Sequence, residues 1–335
     1  SMRIEQWSAT DTVATRGIYD AYQAMRTADD PAGPPLTWHR ARMWLENPRM
    51  PTELWVTRDE RTRAISAFCW LELPQRENRH RGDVLLVVHP KHRRRGIGNA
   101  LLRHLAERAA ANERTVLSTS LAQDSPGAAF ARQAGGSAGL VEVKRVLHVN
   151  EESRARAAQL RVTAEKEAAG YTLVCWSGSA PDEFIDRAAG LHNAMNDAPR
   201  EEGAEERQWD ADRVRRELYD LLEAVGSRFH EVAAIHDATG EMAALTMVES
   251  DPEVPEWGHQ QLTAVTRPHR GHRLGLLVKA AMLGRLAADE PGLRHIITGN
   301  ADVNDHMIAI NEQLGFESLR PWVQDLEIPV ATVLE

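Results

Sequence analysis

The strongest constraint on this chain of 335 residues is that it is written twice. An apolar run ending at Val88 leads through a basic loop, Lys91-His92-Arg93-Arg94-Arg95-Gly96-Ile97-Gly98, into a helical pattern with Leu101, Leu102, Leu105 and Ala109 on one face. A second apolar run, ending at Val265, leads through RPHRGHRLGLLVK, again a basic loop opening a helix. Arg93 and Arg270 each follow their valine by five residues. Around both loops the predicted elements follow one order, so internal duplication is the simplest account.

In the first copy the patterns predict a strand at 3–7, helices at 12–26 and 37–45, strands at 53–57, 64–73 and 83–88, the loop and its helix, a strand at 115–121, a short helix at 126–134 and a strand at 140–149. In the second they predict a strand at 172–176, helices at 183–195 and 213–224, strands at 231–236, 243–248 and 260–265, the loop and helix, a strand at 295–298, a helix at 304–313 and a strand at 323–328. The expected class is α/β, two tandem domains of mixed sheet flanked by helices. Residues 1–150 form the first, 151–170 a linker helix stopped by Gly170, and 171–335 the second.

Composition narrows the function. Residues 1–150 carry 22 Lys+Arg against 16 Asp+Glu, whereas 151–335 carry 18 against 33, within a net charge of −9. A net acidic chain is a poor general binder of nucleic acid, since cations neutralising phosphates supply most non-specific affinity. No run reaches the roughly 20 apolar residues of a membrane span, and no secretory leader pattern opens the chain, so a cytoplasmic protein is expected. Cys69 and Cys175 stand far apart without CxxC spacing, which suggests neither a disulfide framework nor a metal site. The excess of arginine over lysine fits a GC-rich bacterial genome.

A strand feeding a helix through a glycine turn aims backbone N–H groups and the positive end of the helix dipole at one spot, which suits a pyrophosphate. Gly96 and Gly98 lack side chains where backbone must approach an anion, and Arg93 supplies charge. This arrangement resembles the GNAT family of acyl-CoA-dependent N-acyltransferases, whose cofactor loop reads Arg/Gln-x-x-Gly-x-Gly/Ala. Here the run is Arg93-Arg94-Arg95-Gly96-Ile97-Gly98, and in the second copy Arg270-Gly271-His272-Arg273-Leu274-Gly275, with Arg273 at the first glycine's place. NDHMIAINEQLGF, Asn304 to Phe316, is similar to the family's closing helix. The resemblance implies acetyl-CoA or another acyl-CoA held by these loops and Asn304, with backbone donors near Val88 and Val265.

It also implies a tyrosine in the closing helix to protonate the departing thiolate, but Ala131 and Asn311 occupy those places. A thiol with pKa of about 8.5 leaves tolerably as an anion, and Asn311 is a candidate donor to the sulfur. Counting eleven residues back from Arg270 reaches His259, whereas the same count from Arg93 reaches Gly82. By period two, His259, Gln261 and Thr263 share the strand face of Val265, so His259 is the candidate base and Glu249 the second. The cradle at Arg273 is expected to form with negative dihedrals. The acidic stretch 197–210 is either an attractor for a cationic amine or a solvated loop. These residues give an acetyl-CoA-dependent N-acetyltransferase acting on a small primary amine, with turnover in the second half. The alternatives are a non-catalytic acyl-CoA sensor and a ligase of related fold that draws on aminoacyl-tRNA. The oligomeric state stays open.

Overall fold

The computed structural model describes residues 2–335 and follows the duplicated pattern element by element. The first copy comprises β1 (Glu5–Gln6), α1 (Thr12–Asp29), α2 (Trp38–Glu46), β2 (Thr52–Arg58), β3 (Ile65–Glu72), β4 (Arg81–Val88), α3 (Ile97–Ala111), β5 (Val116–Ala122), α4 (Pro126–Gln133) and β6 (Ser137–His148). After α5 (Glu151–Glu165) come β7 (Tyr171–Ser177), α6 (Asp182–Ala194), α7 (Ala211–Val214), α8 (Asp220–Ala224), β8 (Arg228–His236), β9 (Met242–Ser250) and β10 (Trp257–Val265). The chain closes with α9 (Leu274–Asp289), β11 (His295–Ala301), α10 (Asp305–Leu314), β12 (Glu317–Ser318), β13 (Val323–Pro329) and α11 (Val330–Leu334). Between α7 and α8 the predicted single helix widens into a π-turn over Arg215–Tyr219.

The two sheets are joined edge to edge into one of 13 strands, in the order β1-β2-β3-β4-β5-β13-β6-β11-β10-β9-β8-β7, with β12 also on β6. That order is nearly a palindrome. Each copy's closing strand has crossed over: β13, from the chain's end, lies against β5, and β6 of the first copy lies against β11. The central strands thus belong to both copies at once, and α11 packs its Val330 into the core beneath α3.

The linking helix α5 has a structural reason to be there. Helix α9 is apolar nearly all round, with Leu274, Leu276, Leu277, Val278, Met282 and Leu286 all buried. A helix of that kind must be covered on both sides, and Ala157 and Ala164 of α5 lie in its cluster on the side away from the sheet. The helix ends at Glu165, and Gly170, with φ of +88°, turns the chain into β7.

Loops from each copy also clasp the other. The connection between α1 and α2 brings Thr37 to Asp251 (3.3 Å) and Arg40 to Glu249 (2.8 Å). Reciprocally, the acidic stretch after α6 brings Arg213 to both carboxylate oxygens of Glu77 (2.7 and 2.9 Å), while Glu205 and Asn78 exchange bonds. Within 197–210, Glu201, Glu205 and Gln208 bond the first copy at Leu140, Asn78 and Glu77, while most of the stretch is exposed as a solvated loop would be.

Candidate functional site

The two basic loops take the same conformation from different sequences. Positive φ occurs at Arg94 (+63°) and Gly96 (+82°) in the first, and at Gly271 (+94°) and Arg273 (+56°) in the second. Each loop fills one left-handed position with glycine and the other with arginine, at a strain of about 1–2 kcal/mol for a non-glycine residue. The expectation that Arg273 keeps negative dihedrals is therefore corrected, because the turn into α9 needs the left-handed geometry there. Gly98 serves a different need: a Cβ there would meet the Phe130 ring at 3.4 Å, so close helix packing selects it. Gly275 stands in the same relation to Ile310, at 3.2 Å.

Both helices that follow begin without a capping side chain. The same is true of α6, α8 and α11, whereas α1, α2, α4, α5, α7 and α10 are each capped by an Asp, Thr, Ser or Asn. The first helical bonds run from Ala100 N–H to the Gly96 carbonyl and from Leu277 N–H to the Arg273 carbonyl. The preceding amides, Ile97 to Asn99 and Leu274 to Leu276, point out of the helix start and are left for an external acceptor. Arg95 and His272 bracket these starts at the surface.

Arg93 and Arg270 are committed elsewhere. Arg93 donates from Nε to the Val88 carbonyl (3.3 Å) and from both terminal nitrogens to Asp29 (3.0 and 2.6 Å). Arg270 donates likewise to the Val265 carbonyl (3.2 Å) and to Asp197 (2.8 Å), which Arg267 shares. These guanidiniums tie the strand end and the first-helix end to the loop, so the amides carry the anion-binding character. The Arg270 bond, with Arg267 beside it, holds the Asp197 carboxyl below its usual range.

Behind each loop two parallel strands part. β4 pairs β5 only over Arg81–Asp83, and β10 pairs β11 only over Trp257–His259. The gaps open into cavities of about 710 Å³ in the first copy and 830 Å³ in the second, each reaching its uncapped helix start. Cavities of this size suit a cofactor-sized ligand, and the donors at their mouths suit its pyrophosphate. The first cavity is walled by Phe68, Trp70, Trp44, Leu86 and Phe130. The second presents Gln260, Gln261, Thr263, Lys279 and Asn300.

A bulge in β10 corrects the placement of His259. Gln260 pairs Val248 and Thr263 pairs Thr246, so three steps on β10 match two on β9. The extra residue reverses the alternation. His259 lies on the face of Glu249, toward α6, and Val265 and Thr263 lie on the opposite face, toward α9. β4 pairs β3 without such a shift. Register then makes Asp83, paired with Glu72, the counterpart of His259, paired with Glu249, where the count of eleven pointed to Gly82.

His259 faces a small cavity between the copies with Tyr22, Arg26, Arg40 and Asp251. Burial favours its neutral form, and Glu249 opposes that only in part. Glu249 is buried and saturated, accepting from Arg40, Ser227 Oγ (2.9 Å) and Gln261 Nε2 (3.1 Å). Gln261 thereby links this group to the large cavity. Asn304 caps α10 through its Oδ1, bonded to Met307 N–H at 3.4 Å.

Asn311 is fully buried; its Oδ1 accepts from Lys279 Nζ and its Nδ2 donates to Asn300 Oδ1 (2.9 Å). Lys279 is 3% exposed, and burial pulls its ammonium down to about 7. The sequence pattern missed it because a lysine on a helix following a basic loop looks like another surface cation. Its signal was position: it lies five residues before Gly284, in an otherwise unbroken apolar stretch. Among the described residues no three His, Cys, Asp or Glu side chains come together as metal ligands, and no described helix is long and apolar enough to cross a membrane.

Comparison with known proteins agrees with this geometry. Residues 51–135 match the family model of the acetyltransferase (GNAT) domain. Over the full chain, the fold is similar to a tandem GNAT protein from the clavulanic acid biosynthesis pathway, at 27% identity and TM-score 0.79, covering 98% of this chain and 99% of that one. It is also similar to a GCN5-related N-acetyltransferase from Sphaerobacter thermophilus, at 13% identity and TM-score 0.68, covering 98% and 96%. A search of curated proteins returned no match. Residues 51–135 thus carry a GNAT acetyltransferase domain, and the chain as a whole has the fold of a tandem GNAT protein, which supports an acyltransferase.

Proposed function

We propose that the chain transfers an acetyl group from acetyl-CoA directly to a small primary amine, and that the transfer takes place in the second copy. The observation that carries this reading is local: Lys279 and Asn300, joined through Asn311, line the second cavity where Leu102 and Leu121 line the first. Acetyl-CoA supplies the thioester when bound. The amides of Leu274 to Leu276, with the turn at Gly271 and Arg273, would hold its pyrophosphate. Backbone at the β10 bulge, where pairing with β9 is broken, offers donors to the carbonyl oxygen. Neutral His259 takes the amine's proton from the α6 side of the sheet, beside Gln261.

The first copy keeps a complete loop and a cavity, so it binds an acyl-CoA as well. With Leu102 and Leu121 where the second cavity has Lys279 and Asn300, occupancy without turnover is the reading for that half, which preserves a sensing role. The division into residues 1–150, 151–170 and 171–335 describes how the chain was duplicated, with exchanged strands β6 and β13 joining the copies.

A thiol-release assay with acetyl-CoA across amines of several classes tests the reading. Turnover with one class supports it. CoA binding with no turnover against any amine favours a sensor, and tRNA retention on filters at physiological salt favours the aminoacyl-tRNA ligase.

A further inference from the structure

Transfer from a thioester to an amine forms a C–N bond, breaks the C–S bond and leaves the electron pair on sulfur, which must then gain a proton. The second cavity contains a group built for that step. Lys279 projects from α9 into the cavity, with its ammonium bonded to Asn311 and lying 5.1 Å from the centre of the Phe316 ring. Asn311 is fixed in turn by Asn300 of β11, which also lines the cavity. Among the described residues no carboxylate pairs with Lys279. A buried ammonium without a counter-ion is costly, so a site kept this way has a use beyond packing.

The first copy shows what packing alone requires. Leu102 occupies the place of Lys279 on α3, and Leu121 that of Asn300 on β5. Aligned on the closing glycines Gly135 and Gly315, Ala131 occupies that of Asn311. All three are apolar and sit in or against one cluster. The polar triple is confined to the second copy.

We propose that Lys279 donates the proton to the departing CoA sulfur, positioned by Asn311 and Asn300. This inference rests on the reading of the second copy as the site of transfer. The ammonium becomes a neutral amine as the thiol forms, and it regains a proton from solvent at the cavity mouth. Burial poises Lys279 to cycle between these forms near neutral pH. The charged or titratable groups that line the cavity with Lys279 are Glu142 of β6 and His306 of α10, with Asp197, His269, Arg270 and Arg273 at its mouth. β9 and β10 present none to that face.

The test titrates the thiol of bound CoA by its ultraviolet thiolate absorbance, in the wild type, Lys279→Met and Glu142→Gln. An ammonium beside sulfur lowers a thiol pKa. The wild type and Glu142→Gln should therefore show one bound thiol half-titrating at a proton concentration at least about tenfold higher than in Lys279→Met, whose thiols stay near 8.5. Acetyl transfer in Lys279→Met should fall about 10²-fold, the low end for general acid catalysis. Its pH profile should lose the decline that the wild type shows above neutrality as the ammonium deprotonates. Identical thiol titrations in wild type and Lys279→Met, or a shift removed by Glu142→Gln instead, overturn the assignment. If CoA fails to bind to the wild type, the proposed function itself falls, a result distinguishable from a failure of Lys279 alone.

Discussion

Two cavities made from one duplicated pattern have diverged in what their walls present. The loops remained equivalent down to the left-handed residues at matched places and the paired staples Arg93–Asp29 and Arg270–Asp197. The interiors did not: Leu102, Leu121 and Ala131 in one copy correspond to Lys279, Asn300 and Asn311 in the other. A straight β4 likewise corresponds to a bulged β10. The loop backbone is thus the same in both, whereas the buried lysine with its two asparagines occurs in one.

Making the second cavity resemble the first breaks the comparison most severely. The triple change Lys279→Leu, Asn300→Leu and Asn311→Ala should keep acetyl-CoA binding in calorimetry while acetyl transfer falls by roughly 10²–10⁴. His259→Ala should lose a comparable or smaller factor, with the loss shrinking at high pH as free amine accumulates, whereas Asp83→Ala at the matched place should leave the rate unchanged. An equal loss from Asp83→Ala would mean that the register match between the copies extends to their chemistry.

The interlocking loops give a smaller contrast, read in stability. Arg40 and Glu249 are both nearly enclosed, so Arg40→Ala strands a buried carboxylate and should cost about 3–5 kcal/mol in urea denaturation. Arg213→Ala should cost less, since its partner Glu77 keeps more contact with water. The smallest effect concerns Glu231, which is fully buried and bonded to Trp176 and Tyr219, each at 2.7 Å. Burial raises its carboxyl to about 7. A folded value above the unfolded one means stability that is present at low pH and lost as pH rises through about 7. Glu231→Gln should therefore raise the thermal midpoint at pH 8 more than at pH 5.

Much of this was legible in the sequence because duplication lets each half check the other. Strand and helix order, both loops, and the matched Val88–Arg93 and Val265–Arg270 spacings all correspond to features of the fold. The strand exchange was not legible, since β6 and β13 have the same pattern whichever sheet they enter. Period-two reasoning placed His259 on the wrong face because a bulge adds a residue without a composition signal: Gln260-Gln261-Leu262 reads as ordinary strand. Asn311, a candidate donor to the sulfur from its place in the closing helix, is enclosed by contacts from α9 and β11 that sequence spacing does not reveal.

The central claim, two binding cradles and one centre of transfer, is tested most directly by measuring acetyl-CoA stoichiometry and thiol release on the same preparations of wild type, Gly98→Trp and Gly275→Trp. Neither glycine has room for an indole beside Phe130 or Ile310, so each substitution blocks its own cleft, with circular dichroism confirming the fold. The account predicts two sites in the wild type, one in each variant, and turnover lost with Gly275→Trp while most of the rate survives Gly98→Trp. Turnover lost with Gly98→Trp and kept with Gly275→Trp would contradict it and move the chemistry to the first copy.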